Sequence, residues 1–519
     1  HLSVYGSGAK FLRLFDADAS DACGAYVFPR QGTSLWDICA GNAIVEALGG
    51  KMTDRFGLPI SYAVDKARPD AFQQLSGFVA TCDPALTTRI TDQVTATLDL
   101  ARLGKKSDTI PLSILGQVLQ APDDDPVVAF SCPAQSAVRQ KHMTGVQIVA
   151  RHASGRTTAA FFKRTVPEEL PERTSKRWRR DVASYLTESN FYAHIIPLVD
   201  PAASISPRVF RVLAAHGLAR SGGASPIVGP SALEAASLQL VSEKIVPTSY
   251  FCVFAEDLAD SHTQKEFLSA EDLASVMASV VKLHAARGEP VEKACQALWK
   301  EGCYWSLSLR EATEADLLKI FFDGFLRAMG PDLGDRLAPF RELGARLGKN
   351  ARSIAATVAA SPNRVSIVHG DLKTANVFFD KSTNAVKLID FQWSGLGLAA
   401  QDLVYLVLSS AELDLLADLA PSPAEFFRSG SRLEALAKAH LAALPGYHGG
   451  WASFNRECQL SAVDYARVVI AYQWGKTVSP GYFAAGQGVL GRCCHNKSVD
   501  HALEFLRIVE TCLSSLEAK

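Results

Sequence analysis

Hydrophobic and polar residues follow two different periods in the first part of the chain. Apolar side chains recur with helical spacing over Trp36–Leu48, which predicts an amphipathic helix. Short apolar runs at 11–15, 25–28 and 77–81 have the length and composition of extended, partly buried strands. Residues 1–82 are therefore expected to form an α/β segment.

A more polar stretch separates this segment from a β-rich region. Residues 83–109 are predicted to be a linker because they contain a polar run with glycine. Alternating residues at 146–151 and 158–163 flank the turn-forming sequence Ser154-Gly155-Arg156, which predicts a β-hairpin. A long charged helix is expected to follow, over roughly 175–195.

Toward the C-terminus the pattern is mostly helical. Only two short apolar runs, at about 365–368 and 386–389, interrupt it as strands. A small β-rich part followed by a larger helical part predicts a two-lobed α+β domain over about 110–515. Its small lobe is expected at about 110–258 and its large lobe at about 259–515.

Composition narrows the class of protein. The 519 residues are 48% hydrophobic and 21% charged, which is typical of globular domains with sizeable cores. A formal net charge of −1 indicates neither a nucleic-acid polymer nor a membrane surface as partner. No apolar run is long enough to span a bilayer, and no signal-peptide pattern is present.

The cysteines indicate a cellular location for the protein, and the first residue indicates whether the sequence is a whole gene product. The 11 cysteines contain no C-x-x-C pair, so reduced thiols and a cytoplasmic location are expected. The first residue is His1 rather than Met, so we expect a fragment, a processed form or an incomplete gene product. The sequence does not indicate an oligomeric state.

Two short motifs carry the strongest chemical signal. Phosphoryl transfer requires a group that accepts or orients the proton of the attacking hydroxyl, and oxygen ligands that hold Mg²⁺ on the phosphates. Asp371, on a loop after an apolar strand, is the candidate base, and Asn376 and Asp390 are candidate Mg²⁺ ligands. The alternative is a plain hairpin in which Asp and Asn serve as turn formers. The two motifs are His369-Gly-Asp-Leu-Lys-Thr-Ala-Asn376 and Leu388-Ile-Asp-Phe-Gln-Trp393.

These motifs resemble those of the aminoglycoside phosphotransferase/choline kinase superfamily, and most closely its ecdysteroid kinase-like branch. The resemblance covers roughly 110–515. It implies a protein-kinase-like fold that uses ATP and Mg²⁺ to phosphorylate a hydroxyl of a small-molecule acceptor. A protein Ser/Thr kinase would carry Arg and Gly where this chain has Gly370 and Gln392, and an Ala-Pro-Glu motif is absent.

The resemblance also assigns roles upstream of these motifs. Lys163 is implied to contact the ATP α- and β-phosphates, and Glu188 to form an ion pair with that lysine. Glu256 lies in the segment that resembles the hinge, where backbone groups would bind adenine. The alternatives are a solvated lysine at a strand end and an ordinary exposed charge on a helix.

Other residues of the large lobe are implied to support the catalytic loop. By resemblance, His369 and Asp402 brace it, and His284 is expected to be a packed structural histidine. Lys373 either touches the γ-phosphate or lies in solvent. The segment 141–145, which should cover the nucleotide, has one glycine, so a pseudokinase scaffold remains an alternative.

The acceptor itself is not identified by the sequence. Sterol-like, amino-sugar, choline-like and sugar hydroxyls all remain open. Four aromatic residues are candidates either for the acceptor site or for the core: Tyr304, Trp305, Trp451 and Trp474.

The predicted N-terminal helix carries a second motif. Trp36-Asp-Ile-Cys-Ala-Gly-Asn-Ala-Ile-Val-Glu-Ala-Leu-Gly-Gly50 resembles the C-terminal signature of the inositol monophosphatase superfamily, in its 3′(2′),5′-bisphosphate nucleotidase branch. The resemblance covers about 1–82 and implies that Asp37 binds Mg²⁺ and that Ser7, Lys10 and Arg30 hold a nucleotide.

A working phosphatase site of this kind would need more carboxylates than this segment supplies. An Asp in the first helical turn is also favoured simply by the helix dipole. A multi-metal phosphatase needs several carboxylate ligands, and the family's other ligand motifs do not occur in this chain. The segment is therefore expected to be inactive by itself. A bifunctional kinase–phosphatase, if the natural chain extends upstream, and a degenerate structural appendage both remain open.

Overall fold

The computed structural model describes most of the chain from residue 250 onward and shorter parts before it. Ser7, Lys10, Arg30 and the segment 141–142 lie outside the described residues, as does the side chain of Asp37. The described residues are 11, 14, 24–28, 33–54, 60, 62, 73–74, 78–87, 90, 115–116, 119, 121–122, 124–131, 138–140, 143–165, 176–215, 250–310, 312–419, 422, 425–475, 478–479 and 481–518.

The chain divides into two compact units, and each is described by itself. The first unit comprises His1–Leu170, Leu213–His216 and Thr248–Ala255, and the second comprises Pro171–Val212, Gly217–Pro247 and Glu256–Lys519. The domain limits predicted above, at 1–82, 83–109 and 110–515, remain predictions.

The N-terminal part of the first unit contains strands and one long helix, as the pattern predicted. Three strands form an antiparallel sheet in the order β1-β5-β3, and β2 pairs with β4. Helix α1 ends at Ala47, and Gly49 in the turn that follows adopts φ +77°, a backbone conformation that favours glycine. The elements are β1 (Tyr26–Phe28), β2 (Thr33–Ser34), α1 (Leu35–Ala47), β3 (Lys51–Asp54), β4 (Gln73–Gln74) and β5 (Phe78–Thr81).

A small apolar core lies between this sheet and α1. Phe11 stacks on Phe78 with ring centroids 5.9 Å apart, and both side chains belong to one buried apolar cluster that also contains Ile38. A Cβ on Gly41 would lie 2.6 Å from the Phe11 ring, so the helix can approach this ring only with glycine at that position. The predicted extended backbone at 11–15 is wrong where it is described: Phe11 and Leu14 are helical.

The first unit also contains the predicted β-hairpin. β8 (Met143–His152) and β9 (Thr157–Thr165) pair antiparallel, and Lys163 lies opposite Gly145. Gly155 in the connecting turn adopts φ +88°. The strands of this sheet follow the order β10-β11-β9-β8-β6, with β7 beside β8. The remaining strands are β6 (Val127–Ser131), β7 (Val138–Gln140), β10 (Val209–Ala215), of which Leu213–Ala215 belong to this unit, and β11 (Tyr250–Glu256), of which Tyr250–Ala255 belong to this unit.

Helices dominate the second unit. The predicted charged helix is α2, Lys176–Asn190, and it continues through a π-helical turn, Phe191–Ile195, into α3, Ile196–Val199. The other helices are α4 (Ala270–His284), α5 (Glu289–Cys295), α6 (Leu318–Leu333), α7 (Leu343–Ala359), α8 (Ala399–Ser410), α9 (Leu413–Leu416), α10 (Arg432–Ala442), α11 (Gly450–Val468) and α12 (Val499–Glu517).

Short strands in the second unit position the predicted site. β13 precedes the catalytic motif in the sequence and pairs antiparallel with β16, which follows it. β14 and β15, which also follow the motif, form a second antiparallel pair that β12 extends. The strands at 365–368 and 386–389 were predicted, whereas β12, β14 and β16 were not. The five strands are β12 (His262–Thr263), β13 (Ser366–Val368), β14 (Val377–Asp380), β15 (Val386–Leu388) and β16 (Gly395–Gly397).

Two findings concern the expected location. Within the described residues, no helix has the length and apolar character needed to cross a membrane. The eight cysteines whose side chains the structure describes are all free thiols.

Candidate active site

The catalytic motif forms a loop between β13 and β14. β13 ends before His369, and a 3₁₀ turn at Thr374–Asn376 leads into β14. Gly370 adopts φ +81°, and a Cβ there would lie 2.1 Å from the carbonyl oxygen of Trp393. No larger residue fits this backbone path, which is the physical reason that glycine follows His369.

The Asp371 carboxylate accepts hydrogen bonds from three side chains. Tyr405 donates to its Oδ1 over 2.8 Å, and Asn376 donates to its Oδ2 over 3.1 Å. The Lys373 ammonium donates to both oxygens, over 3.0 and 2.9 Å. The residue is only 7% exposed. These bonds hold the carboxylate in one orientation, which is what a catalytic base needs.

Lys373 is therefore not a solvated side chain. Burial works against its charge, but the neighbouring Asp371 carboxylate raises the pKa of Lys373 above its usual value, so the lysine stays protonated. The solvent alternative for Lys373 is wrong, and contact with the γ-phosphate remains a prediction.

Asn376 and Asp390 are brought to neighbouring backbone positions. The Ile389 N–H donates to the Asn376 carbonyl over 3.0 Å, and the His369 ring nitrogen Nε2 lies 2.9 Å from the Ile389 carbonyl. The next residue, Asp390, adopts φ +67°, a strained conformation that is frequent at functional sites. The two predicted Mg²⁺ ligands thus belong to one hydrogen-bonded structure.

The donor set is compatible with Mg²⁺ shared with phosphate. The amide nitrogen of Asn376 is turned to Asp371, so the amide oxygen is its remaining polar atom. Mg²⁺ prefers oxygen ligands and is commonly bound through one or two side chains plus phosphates and waters. Among the described residues, no group of three or more His, Cys, Asp or Glu could hold a metal ion, so a cage made only of such side chains is not present there.

Phe391 connects the metal-ligand motif to α2. Its ring stacks on Phe191 with centroids 4.0 Å apart, and it also contacts Tyr192 and His369. Glu188, one turn earlier on the same helix, is only 4% exposed. The alternative of an ordinary exposed helix charge is therefore wrong for Glu188.

The predicted partner of Glu188 lies in the other unit. Lys163 is on β9, with a half-buried side chain. Since the two units are described separately, the ion pair between Lys163 and Glu188 remains a prediction.

Asp402 braces the catalytic loop from α8. Its carboxylate accepts hydrogen bonds from the backbone N–H groups of His369, over 2.6 Å, and Gly370, over 2.9 Å. The His284 Nε2 lies 3.0 Å away and must donate, because a carboxylate can only accept. Burial opposes its charge, but the hydrogen bond from His284 holds the pKa of Asp402 below its ordinary value.

His440 completes this buried group and was not found from the sequence. Its Nε2 lies 2.9 Å from Nδ1 of His284. Burial lowers the pKa of His440 to about 3, so the ring is neutral and can donate to His284. The expectation that His284 is a packed structural histidine agrees with this arrangement.

Glu256 is engaged within its own unit. Its carboxylate forms an ion pair with Lys387 and accepts a hydrogen bond from the Arg208 N–H over 3.1 Å. Its own N–H donates to the Arg208 carbonyl over 2.7 Å. Because the Glu256 N–H already donates to Arg208, a backbone contact between Glu256 and adenine would have to use the Glu256 carbonyl. This contact remains a prediction. Apart from the prediction of a strand at 386–389, nothing in the sequence indicated that Lys387 would pair with Glu256.

Tyr405 is the residue nearest to the chemistry that sequence reasoning missed. It lies one helical turn after Asp402 on α8, and this i, i+3 spacing places both side chains on the same helix face. This spacing from Asp402 is the feature of the sequence from which Tyr405 could have been predicted to lie near the catalytic loop.

The candidate acceptor aromatics divide into two groups. Trp305 and Trp474 are wholly buried and belong to the core. Trp451 stacks between Phe427 and Phe454, with centroids 5.7 and 5.9 Å away. Tyr304 is half-buried, and its backbone N–H donates to the Gly370 carbonyl over 3.2 Å, so this candidate contacts the catalytic loop directly.

Comparison with protein families gives a match over more than half of the chain. The model of the ecdysteroid kinase-like family matches residues 142–422. The chain belongs to the ecdysteroid kinase-like family. This is the family that the two motifs of the large lobe resemble. The model of the inositol monophosphatase family matches residues 18–95, in agreement with the N-terminal resemblance.

Curated relatives match a short part of the chain. The 3′(2′),5′-bisphosphate nucleotidase 1 of Dictyostelium discoideum is 40% identical over 80 residues, which are 15% of this chain and 24% of the relative. The human protein of the same name is 42% identical over 64 residues, or 12% of this chain and 20% of the relative. The chain thus spans a quarter or less of the length of these relatives.

Solved structures resemble the chain only distantly. An amicoumacin kinase in complex with AMP-PNP, Ca²⁺ and Ami is 10% identical with a TM-score of 0.37, and the match covers 82% of this chain and 96% of the other. An ethanolamine kinase of Plasmodium vivax is 11% identical with a TM-score of 0.31, covering 76% and 83%. At these scores the likeness supports no further conclusion.

Proposed function

We propose that the ecdysteroid kinase-like part transfers the γ-phosphoryl group of ATP to a hydroxyl of a small-molecule acceptor, with Mg²⁺. The observation that supports this most directly is the hydrogen-bonded connection of the Asp371 loop to Ile389, the residue before Asp390. It brings a fixed carboxylate near two candidate oxygen ligands, which are the groups that phosphoryl transfer requires.

Each side chain has a role in this proposal. The acceptor oxygen forms a bond to the γ-phosphorus while the bond to the β–γ bridging oxygen breaks and ADP leaves. Asp371 orients the acceptor hydroxyl and takes its proton. Asn376 and Asp390 would hold Mg²⁺, which supplies positive charge to the phosphates. Lys163, supported by Glu188, would bind the α- and β-phosphates.

A direct test is consumption of ATP in the presence of a library of small alcohols, with detection of the phosphorylated product. Transfer to at least one alcohol, dependent on Mg²⁺, is expected. Binding of Mg·ATP without transfer to any alcohol or to water would favour the pseudokinase alternative.

Asp390→Ala tests the metal assignment. We expect the affinity for Mg·ATP, measured by calorimetry, to fall at least about tenfold, because a charged ligand of the ion is lost. Asp414→Ala is the matched control, because Asp414 is an exposed carboxylate of the same unit that pairs with Arg432. Equal affinities of Asp390→Ala and the parent would mean that the metal lies elsewhere.

A nucleotidase activity of the 519-residue chain is not expected. Asp37 is the one carboxylate of the N-terminal signature that matches a metal ligand, and Mg²⁺ gives up its waters reluctantly to a single carboxylate. The assay is phosphate release from 3′-phosphoadenosine 5′-phosphate. Mg²⁺-dependent turnover that is lost in Asp37→Ala but retained in Asp371→Asn would establish a working phosphatase and a bifunctional protein.

A further inference from the structure

The Asp371 carboxylate has no vacant acceptor position in this structure. It accepts four hydrogen bonds, one from Tyr405, one from Asn376 and two from Lys373. An ionised carboxylate has about four lone-pair sites. An acceptor hydroxyl can therefore reach Asp371 only if one of these three partners gives way.

The three partners differ in how firmly they are held. Tyr405 lies on α8, whose residues are all buried, and Asn376 is held through its own backbone by Ile389. Lys373 reaches Asp371 with a long, flexible side chain that is 22% exposed. Lys373 is thus the partner that can move, and Tyr405 and Asn376 are the fixed ones.

The hydrogen bond of Tyr405 has a fixed direction. The carboxylate can only accept, so the Tyr405 hydroxyl must donate to it. Burial, and after it the negative charge of Asp371, raise the pKa of Tyr405 well above its ordinary value, so this hydroxyl stays protonated. The Tyr405 oxygen is then available only as an acceptor for a further donor.

Cys493 is placed to be that donor. Its Sγ lies 3.9 Å from the Tyr405 hydroxyl and 3.9 Å from the Tyr465 hydroxyl. Burial raises the pKa of the Cys493 thiol, which keeps its proton. A directional series results, in which Tyr465 donates to Cys493, Cys493 to Tyr405 and Tyr405 to Asp371. Such series strengthen each bond and hold the last acceptor in place.

We infer that Tyr405, supported by Cys493, is a positioning residue for the reaction: it fixes Oδ1 of Asp371 while Lys373 yields its place to the acceptor hydroxyl. This rests on the proposed function, because it assigns a role through the catalytic base. It predicts that Tyr405 affects the rate of transfer and not the binding of the nucleotide.

The first experiment compares Tyr405→Phe with Tyr447→Phe in the full chain. Tyr447 is a matched control, since it is a half-buried tyrosine of the same unit that donates to a carboxylate, Glu457, away from the catalytic loop. We expect Tyr405→Phe to lower kcat about tenfold, the effect of one lost hydrogen bond to a charged group, with KM for Mg·ATP unchanged. Tyr447→Phe should leave both constants within about twofold.

Two further measurements separate positioning from a structural role. In an Asp371→Asn background, Tyr405→Phe should have no further effect on the residual rate, because residues that act through one another are not additive. Cys493→Ala should lower kcat a few-fold, and Cys493→Ser, which keeps a donor, should restore it.

The outcomes distinguish this inference from the proposed function. A parent enzyme that transfers phosphate, together with a Tyr405→Phe variant of unchanged kcat, would overturn the inference alone. So would an equal loss in the parent and Asp371→Asn backgrounds, because that result indicates a structural role. A parent chain that transfers phosphate neither to an alcohol nor to water would overturn the proposed function, and the positioning role with it.

Discussion

Replacing Asp371 with Asn is expected to lower kcat for phosphoryl transfer by about 10²–10⁴, the contribution typical of a positioned acid–base group. Asparagine keeps the shape of the side chain and can still accept from Tyr405, but it cannot take a proton. Steady-state assays with the acceptor found in the alcohol screen measure the rate. Affinity for Mg·ATP, measured by calorimetry, should change only a few-fold.

Two controls accompany this substitution. Asp371→Asn leaves the Lys373 ammonium without its carboxylate, so circular dichroism and thermal unfolding must show that the variant is folded. Asp414→Asn removes an exposed carboxylate of the same unit and should not change kcat. If Asp371→Asn retained a rate within a few-fold of the parent, Asp371 would not be the base.

Replacing Asp402 with Ala is expected to lower the free energy of unfolding of the second unit by about 3–5 kcal/mol, as for removal of one partner from a buried charged network. The reason is that two backbone N–H groups, of His369 and Gly370, and the His284 ring lose their common acceptor inside the protein. Denaturant unfolding followed by circular dichroism measures this change.

The Asn variant at the same position separates stability from catalysis. Asp402→Asn keeps one acceptor oxygen, so its loss of stability should be smaller than that of the Ala variant. Its kcat should still fall, because the backbone at His369–Gly370 that carries Asp371 loses one of its two anchors. Parent-like stability of Asp402→Ala would show that the loop is held by other contacts.

Local features of the fold were predictable because their signals lie close together in the sequence. The hairpin β8–β9 was predicted from two alternating runs around Ser154–Arg156, and α2 from its charged helical pattern. The short strands β12 and β16 were missed, because two or three residues, with glycines in β16, contain too little periodic pattern. β14 was missed for a related reason, since its four residues carry no clear alternation of apolar and polar side chains.

The candidate site shows the same division. Each of the two motifs that contain Asp371, Asn376 and Asp390 is a continuous run of residues, so a class of reaction could be predicted from them, and the family match agrees with that class. The burial of Glu188 could not be predicted from a local motif. A charged residue on a helix is ordinarily exposed, and only packing shows which face is covered.

The sequence by itself determined the family and the side chains to which we assign the proposed reaction, because phosphoryl transfer depends on a few residue types at short, fixed spacings. The tertiary structure alone decided what surrounds the base. Tyr405 lies 34 residues from Asp371, Cys493 a further 88 residues on, and His440 156 residues from His284. Contacts over such separations depend on the packing of α4, α8 and α10, and no local pattern in the chain encodes that packing.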